Sequence, residues 1–329
     1  MKILMLSGIF AQSDAYRASH MAETPDSLLA DALADAGVDI TTAAPTFRGD
    51  WASFDVVHLN HLTNACLRSI VEPRTRVVFT HHTSGWKPWH HRMVRNATER
   101  RADRVVVFTD DERRRLGRRV PDRKIEVIRS ALAVERFTTT TRARPRPGQV
   151  WDLLYVGQLV EFKRVHLALE LLRRLRDAGQ PARLRIISHR ETLRPELETA
   201  ARRLGVHEDV HYLGTRTRDE IGTEMASSHF LVLPSHREAL STVTSEAAVS
   251  GLPVLLFDVS GADEQVPPGW ELPPIHDTTR WSDLALRRMA DYERVAAAWA
   301  ANAPTVRGRL SIDRAVAEHV DMYRRILTR

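Results

Sequence analysis

Short apolar segments recur along the chain, and segments of helical periodicity separate them. In the first half the apolar segments read KILMLS, VDITTAAP, FDVVHLN, RVVFT and DRVVVFT. Continuous apolar runs are typical of strands that are buried on both faces, as they are in parallel sheets covered by helices. The pattern therefore predicts a three-layer α/β domain in the first half of the chain.

The first helix of this domain has clear boundary signals. Thr24 is a suitable capping residue, Pro25 fits the first turn, and LLADALADAG follows with leucine and alanine at helical spacing. Proline is favoured at the first helical position and glycine just beyond the last one. We therefore expect a helix that begins at Thr24 and stops by Gly37.

The apolar pattern restarts after a polar stretch. TTTTRARPRPG, which ends at Gly148, contains prolines and has no periodicity, and such segments are typical of linkers. Beyond it WDLLYVGQL, ARLRIIS, HFLVLPS and PVLLFDV repeat the strand pattern, and the chain of 329 residues exceeds the usual size of one compact core. We predict a first domain over 1–140, a linker over 141–148, a second domain over 149–308 and an amphipathic helix over 309–329.

Cysteine usage and the start of the chain indicate where the protein resides. A lone cysteine, Cys66, excludes an intrachain disulfide, and the opening MKILMLSGIF lacks a signal-peptide cleavage pattern. No apolar run approaches the roughly 20 residues that a membrane-spanning helix needs. We therefore expect a cytoplasmic protein.

Arginine accounts for most of the positive charge in a chain of formal net charge +6, and it is concentrated at 92–104 and 112–119. Solvated helix faces are the simplest interpretation, and peripheral contact with an anionic membrane at its inner face is the alternative. Nucleic acid is not an expected partner, because these arginines lack interleaved aromatic residues and accompany no nucleic-acid-binding motif.

Histidines and tryptophans are concentrated in THHTSGWKPWHHRM, residues 80–93. The pairs His81–His82 and His90–His91 are adjacent in sequence, whereas histidine ligands of zinc on a helix lie a turn apart on one face. The nearest acidic side chain downstream is Glu99. The spacing therefore does not predict a metal site, and the segment follows the strand RVVFT as a loop.

The loops that follow the strands are the places to look for ligand binding. In doubly wound sheets, ligands bind beyond the carboxyl ends of the strands. The candidate loops begin at Ser7, Asn60, His81, Gly157, Ser188, Gly214 and Ser235.

Two glutamates flank a predicted helix start in PSHREALSTVTSEAAVSGLPVLLFD. Glu238 precedes the helix expected near Ser241 and Thr242, and Glu246 lies within it. Unpaired N–H groups and the helix dipole make such an amino end suitable for a diphosphate. Carboxylates accept hydrogen bonds from hydroxyl pairs, so Glu246 is a candidate for a ribose and Glu238 for a sugar. The glutamates alone are more typical of solvated carboxylates; the flanking PS and GLPV favour the functional interpretation.

This stretch resembles the E-x7-E signature of retaining GT-B glycosyltransferases and is most similar to glycosyltransferase family 4. LLYVGQLVEFKRVHLALELL resembles the family's glycine turn, at Gly157, and its basic residue, at Lys163. GTRTRDEIGTEMASSHFLVLPS resembles the segment that reads the base, and VSGADEQVP the loop after the next strand. The resemblance is dense over 149–266 and looser in the first half.

The resemblance implies a GT-B fold, with two Rossmann-like doubly wound domains, a deep interdomain cleft and a C-terminal helix that crosses back to the first domain. It implies that the second domain binds a nucleotide diphosphate sugar. Lys163 would contact the diphosphate, Glu238 the donor sugar and Glu246 the ribose. The complete implied donor set is Gly157, Gln158, Lys163, Arg164, Gly214, Thr215, Glu238, Ser241, Thr242, Val243 and Glu246.

The first domain is implied to hold the acceptor. VVFTHHTS fits a family segment whose histidine lies near the reacting sugar, which places His82 with Lys163 and Glu238 among the catalytic residues. His81 is the second candidate for this position. Trp86 would provide a stacking wall for a sugar ring, with Trp89 as its alternative, and Gly8 lies in the first loop on the same side.

The implied reaction moves a sugar to a hydroxyl of a small molecule, a glycan or a lipid-linked acceptor, with retention and without metal or cofactor. Three departures from the family are visible: Gln158 replaces the usual arginine, Arg164 stands where glycine is common, and the first loop lacks paired glycines. They leave open a GT-B auxiliary protein that no longer transfers sugar. A sugar-nucleotide epimerase of similar architecture is a further alternative.

Overall fold

The computed structural model describes residues 1–12, 24–72, 75–81 and 89–328. The chain divides into two compact units, one formed by Met1–Ala133 with Arg309–Arg329 and the other by Val134–Gly308. Each unit is built on one sheet of parallel strands. The α/β class that the apolar pattern predicts is therefore confirmed.

The first sheet has the strand order β2-β1-β3-β4-β5-β6, and all of its neighbouring strands are parallel. The second sheet has the order β11-β10-β7-β8-β9 and is also parallel throughout. The strands are β1 (Lys2–Leu6), β2 (Asp39–Ala43), β3 (Val56–Asn60), β4 (Arg76–Thr80), β5 (Arg104–Val107), β6 (Ile125–Val127), β7 (Trp151–Val156), β8 (Ala182–Ile187), β9 (Val210–Gly214), β10 (Phe230–Leu233) and β11 (Val254–Leu256).

The helices alternate with these strands and then continue to the C-terminus. They are α1 (Pro25–Asp35), α2 (Ala65–Val71), α3 (Trp89–Arg101), α4 (Asp110–Leu116), α5 (His166–Asp177), α6 (Arg194–Leu204), α7 (Arg218–Ala226), α8 (Thr242–Val249), α9 (Thr278–Ala290), α10 (Tyr292–Leu310) and α11 (Ile312–Leu327). The predicted start of the first helix is confirmed, because the Thr24 side chain accepts a hydrogen bond from the Ser27 amide at the amino end of α1.

Alternate residues of the first sheet pack into two separate cores, as the two-residue period of a strand requires. On one face Ile3 and Met5 pack with residues of α1 and with Met322 and Tyr323 of α11. On the other face Leu4 and Leu6 pack with a second cluster, which includes Trp51 and the side chains of β3, β4 and β5 that point to this face. Since both faces are covered, the strands of this sheet tolerate continuous apolar sequence.

The second sheet is centred on β7, whose residues are all buried. β8 and β9 extend the sheet on one side of β7, and β10 and β11 extend it on the other side. The order of the strands therefore reverses at β7. Ligands of open α/β sheets bind beyond the carboxyl ends of the strands at such a switch point. The loops that follow β7 and β10 are therefore in the favoured position.

The boundary between the units falls earlier than the polar stretch indicates. The second unit begins at Val134, so residues 141–148 lie within it. Thr139 Oγ1 donates to the carbonyl oxygen of Val249 at 3.0 Å, and Arg142 pairs with Asp152 of β7 at 2.8 Å. Periodicity does not reveal these contacts, because they come from single polar side chains.

None of the helices in the described part of the chain combines the length and the apolarity needed to cross a membrane.

Candidate functional site

The second unit brings several predicted donor residues to one edge of its sheet. Gly157 follows β7, Gly214 ends β9, and the segment from Pro234 to Ser241 joins β10 to α8. Because all five strands of this sheet run parallel, these segments leave its carboxyl edge together. They form the framework of the candidate site.

Lys163 and Glu238 are in direct contact within this framework. The Lys163 ammonium donates to Glu238 Oε1 at 2.7 Å, and the two side chains are 15% and 12% exposed. Lys163 ends a short 3-10 turn after β7, and Glu238 lies 75 residues later in the loop after β10. Folding thus pairs the two charged groups that the sequence assigns to diphosphate and sugar.

Arg164 holds the loop that carries Glu238. Its Nε donates to the Pro234 carbonyl at 2.9 Å and its Nη1 to the Ile275 carbonyl at 2.6 Å. Its guanidinium lies over the Phe257 ring, 4.4 Å from the centroid, and burial lowers its pKa. Arg164 has a left-handed φ of 48°, a conformation that glycine adopts more easily. Two nitrogens of the guanidinium thus hold backbone carbonyls and organise the loop, while its buried Nη2 has no hydrogen-bond partner among the described residues.

The amino end of α8 is fixed by two polar side chains. Ser241 caps the helix, because its side chain accepts a hydrogen bond from the Thr244 amide. Gln265, which is buried, donates to the Ser241 carbonyl at 2.8 Å and to Ser245 Oγ at 2.6 Å. The predicted helix start near Ser241 and Thr242 is confirmed. Thr242 and Val243 are partly exposed, at the amino end where unpaired N–H groups collect.

Glu246 lies inside α8 and is fully buried. Its Oε1 accepts a hydrogen bond from Arg218 Nη1, at the first residue of α7. Its Oε2 is buried and has no hydrogen-bond partner among the described residues. Burial raises the pKa of Glu246 to about 7, against the opposing effect of the Arg218 charge.

The turn after β7 depends on close backbone packing. A Cβ atom at Gly157 would lie 3.0 Å from the Tyr155 hydroxyl, and the backbone φ of 155° also favours glycine. Tyr155 is buried and its hydroxyl donates to the Gln158 carbonyl at 2.8 Å. The Gln158 side chain contacts the His189 ring, with 3.3 Å between the two Nε2 atoms. Gln158 therefore supplies a neutral amide where the family has a cation.

Gly214 is the last residue of β9 and Thr215 follows it, so both lie at the carboxyl edge of the second sheet. The Ser188 amide, after β8, donates to the Gly214 carbonyl at 3.0 Å. Gly214 has a φ of 69° and Thr215 is exposed. This turn leads through Thr217, which caps α7, to Arg218. The segment predicted to read the base is thus continuous with the residue that pairs with Glu246.

On the first unit, His82 and Trp86 lie outside the described residues. Gly8 is exposed directly after β1 and starts a short 3-10 turn. Trp89 is the first residue of α3 and is 71% exposed.

His81 is committed to a buried charge cluster. Its Nε2 lies 3.3 Å from Glu99 Oε1, and Glu99 is fully buried. Arg119 donates to both carboxylate oxygens of Glu99 at 2.9 and 3.2 Å, and Arg95 lies 3.5 Å from Oε1. Burial lowers the pKa of His81 despite the nearby carboxylate. Neither ring nitrogen of His81 has a hydrogen-bond partner among the described residues, and its assignment to the acceptor side stays a prediction.

Another polar cluster lies at the carboxyl edge of the first sheet, and none of its residues is among the predicted site residues. Ser7 Oγ donates to Asp26 Oδ2 at 2.6 Å, and His61 Nε2 lies 3.4 Å from the same oxygen. His61 follows β3 and has a left-handed φ of 65°, which is uncommon outside glycine and is enriched at functional sites. Ser7 and the loop at Asn60 were among the candidate loop positions, but the contact with Asp26 joins residues far apart in sequence.

Sequence reasoning also missed Arg218 and Gln265, which hold Glu246 and the start of α8. Both lie inside motifs that the resemblance covers, GTRTRDEI and VSGADEQVP. An arginine at the first turn of a helix opposes the helix dipole, and this mismatch was the one local signal for Arg218. Across the described ranges, no group of three or more histidine, cysteine, aspartate or glutamate side chains is arranged to hold a metal ion.

Two family models cover consecutive parts of the chain. Residues 137–284 match the family described as Glycosyl transferases group 1. Residues 48–136 match Glycosyltransferase Family 4. The first match contains the predicted donor residues of the second unit, from Gly157 to Glu246.

Curated relatives are similar over shorter stretches. The chain is 31% identical over 213 residues to a D-inositol 3-phosphate glycosyltransferase of Nocardia farcinica, an alignment that covers 59% of this chain and 46% of that protein. It is 34% identical over 143 residues to a glycogen synthase of Mycobacterium tuberculosis, covering 44% of this chain and 34% of that protein. The chain therefore spans about half the length, or less, of these relatives.

Solved structures share the fold over the whole chain. Sucrose-phosphate synthase from Thermosynechococcus elongatus superposes with a TM-score of 0.82 at 16% identity, covering 100% of this chain and 99% of that one. Anabaena HepE, in a complex with UDP and glucose, superposes with a TM-score of 0.73 at 17% identity, covering 98% and 99%. The two family matches together span residues 48–284 and show that the chain belongs to the group 1, family 4-like glycosyltransferases, and the solved structures show that its fold is GT-B.

Proposed function

We propose that the protein transfers a sugar from a nucleotide diphosphate sugar to a hydroxyl group of an acceptor, with retention at the anomeric carbon. The observation that carries this proposal is the contact between Lys163 and Glu238 at 2.7 Å beside the capped amino end of α8. The match of residues 137–284 to a glycosyltransferase family supports it.

The site has the groups that a diphosphate needs. An ammonium has three N–H groups, so Lys163 can contact Glu238 and phosphate oxygens at the same time. The amino end of α8 adds N–H groups and the positive end of a helix dipole. Departure of a nucleoside diphosphate concentrates negative charge on the leaving phosphate, and these groups stabilise that charge most in the transition state.

The two glutamates have different roles in this proposal. Glu238, in the loop beside Lys163, accepts hydrogen bonds from hydroxyl groups of the donor sugar. Glu246, within α8, accepts from the ribose. Glu238 is not assigned as a covalent nucleophile, because the proposed attack on the same face of the anomeric carbon forms no covalent intermediate with the protein.

The proposed chemical step needs neither metal nor cofactor. The bond between the anomeric carbon and the leaving phosphate oxygen breaks, and the acceptor oxygen bonds to the same face of that carbon. The acceptor proton passes to the leaving phosphate. His82 keeps its predicted place near the acceptor, and it lies outside the described residues.

The relatives indicate which donors and acceptors to test first. HepE structures contain UDP and UDP-glucose, so a uridine donor is the first to test. Several curated relatives are named for D-inositol 3-phosphate, so phosphorylated polyols are the first acceptors to test, ahead of glycans and lipid-linked acceptors. We also propose a cytoplasmic location, with the arginine-rich helices of the first unit as the region for any peripheral contact with an anionic membrane.

A thermal-shift screen tests the donor assignment. Wild type, Lys163→Met and Glu208→Gln are heated with UDP, GDP, ADP and dTDP and with their common sugar conjugates. Glu208 is a matched control because its side chain is 84% exposed. A ligand at 100 times its Kd stabilises by about 2.7 kcal/mol. We expect a shift with one base in wild type and control and a smaller shift in Lys163→Met; no shift with any ligand favours the auxiliary alternative.

A further inference from the structure

The carboxylate of Glu246 is held from one side only. Arg218 Nη1 donates to Oε1, while Oε2 is buried and lacks a hydrogen-bond partner in the described ranges. A buried carboxylate oxygen without a donor is costly. Such an atom indicates a hydroxyl or N–H group that a ligand supplies.

Arg218 has no evident function in its own helix. It is the first residue of α7, where the helix dipole disfavours a cation. The amino end of α7 is already closed by a capping box in which Thr217 and Glu220 bind each other's backbone amides. The contact with Glu246 therefore explains why a cation occupies this position.

Arg218 is the charged group that acts on the Glu246 carboxyl. Thr244 and Ser250, near this turn of α8, are buried and neutral, and Ser250 Oγ donates to the Glu246 carbonyl and lies 3.8 Å from Met225 Sδ of α7. The guanidinium of Arg307 donates to the Val249 carbonyl at the end of α8, at 3.0 Å, and not to the Glu246 carboxyl. A fully buried carboxyl group without a counter-charge is held in its neutral form. Among the charged groups described, it is the Arg218 guanidinium that favours the ionised state of Glu246.

We propose that Arg218 is a positioning residue that occupies Oε1 of Glu246 and stabilises its carboxylate, so that Oε2 accepts a hydrogen bond from a ribose hydroxyl of the donor. This proposal rests on the proposed function and deepens it. Arg218 itself need not contact the nucleotide, because it acts through the carboxylate. The ribose is thereby recognised by a carboxylate whose charge and orientation are set from α7.

The test combines protein variants with ribose variants. Calorimetry measures binding of UDP, GDP and ADP, each beside its 2′,3′-dideoxy analogue, to wild type, Arg218→Met, Arg218→Lys and Glu246→Gln. Arg202→Met is the control, since Arg202 is 64% exposed on α6. Circular dichroism at the same pH establishes that each variant is folded.

We expect Arg218→Met to weaken binding of the preferred nucleotide about 10-fold at pH 7, comparable to the loss of one charge-assisted hydrogen bond. Arg218→Lys is expected to recover part of the loss, and Arg202→Met to bind as wild type does. With the dideoxy analogue, Arg218→Met and wild type should bind equally. A purely structural effect of Arg218 would weaken both ligands alike.

The pH profile gives a second, independent readout. Wild-type affinity should rise as Glu246 ionises, and Arg218→Met should require a higher pH for the same rise, because the opposing charge is gone. Equal or tighter binding by Arg218→Met with an unchanged profile overturns the proposal while leaving the donor site intact. If wild type binds none of the three nucleotides, the proposed function itself fails.

Discussion

Replacing Glu246 by glutamine should remove a loss of stability that the wild type undergoes as the pH rises from 5 to 8, while it damages donor binding. Burial raises the pKa of Glu246 to about 7 from a reference value of 4.5. A carboxyl group whose pKa is raised by folding favours the folded state when it is protonated. Its stabilising contribution is complete below about pH 4.5 and is lost as the pH rises through 7.

The magnitude follows from the size of that shift. One pKa unit corresponds to about 1.36 kcal/mol. Between pH 5 and pH 8 the shift of Glu246 therefore lowers the free energy of unfolding by about 2–3 kcal/mol. Glutamine has nearly the same shape and cannot ionise, so the Glu246→Gln variant should not show this part of the loss.

Urea unfolding of both proteins at pH 5, 6.5 and 8 measures the difference. Other groups titrate in both proteins and cancel in the comparison, as does any constant cost of leaving Arg218 without its partner. We expect the free energy of unfolding of the wild type to fall by about 2–3 kcal/mol relative to the variant between pH 5 and pH 8. Parallel pH dependences would show that Glu246 is not perturbed by burial.

Three further predictions concern single contacts. Lys163→Met should weaken binding of the nucleotide diphosphate by about 10- to 100-fold in calorimetry, as expected for losing charge-assisted hydrogen bonds, and unchanged affinity would remove Lys163 from the donor site. Gly157→Ala should lower the free energy of unfolding by about 1–3 kcal/mol because its Cβ would crowd the Tyr155 hydroxyl; an unchanged urea midpoint would contradict this. Tyr323→Phe removes the 2.6 Å contact with buried His58 Nδ1 and should cost about 1–3 kcal/mol in the same assay; no change would show that His58 finds another partner.

Most of the fold is visible in the sequence because parallel strands covered on both faces must be continuously apolar. β3, β4 and β7 are examples, and each lies where its apolar run predicts. β6 escapes this reasoning because it has only three residues, IEV, with a glutamate at its centre. The polar stretch before β7 has the composition of a linker over 141–148. Hydrogen bonds such as that from Thr139 to the Val249 carbonyl join this region to the second unit, and they produce no hydrophobic periodicity that the sequence could reveal.

In the candidate site, features set by neighbouring residues could be predicted, whereas contacts between residues far apart in sequence could not. Ser241 and Thr242 could be placed at a helix start from local capping signals, and Glu246 follows from the same helix. The Arg218 contact could not be predicted, because it joins α7 to α8 across 28 residues. Nor do local signals show that Arg164, which stands where glycine is common, donates to the Pro234 and Ile275 carbonyls, far away in sequence.

His81 illustrates how burial changes the interpretation of a motif. In the sequence it is one of two adjacent histidines in an aromatic loop, and Glu99 is merely the nearest downstream carboxylate. In the folded chain, β4 and α3 bring the two side chains to 3.3 Å in a buried cluster with Arg119. His81 is therefore buried against a carboxylate, and the placing of His81 and His82 on the acceptor side stays a prediction for both.

The central claim is that a nucleotide diphosphate sugar binds at the carboxyl edge of the second sheet, and hydrogen–deuterium exchange tests it most directly. The protein is compared with and without saturating UDP-glucose, GDP-mannose or ADP-glucose. The account predicts that one donor slows exchange in the turn from Gly157 to Lys163 and in the segment from Ser235 to Glu246, and that Lys163→Met reduces this protection. Protection confined to other segments, or none with any donor, would contradict the account.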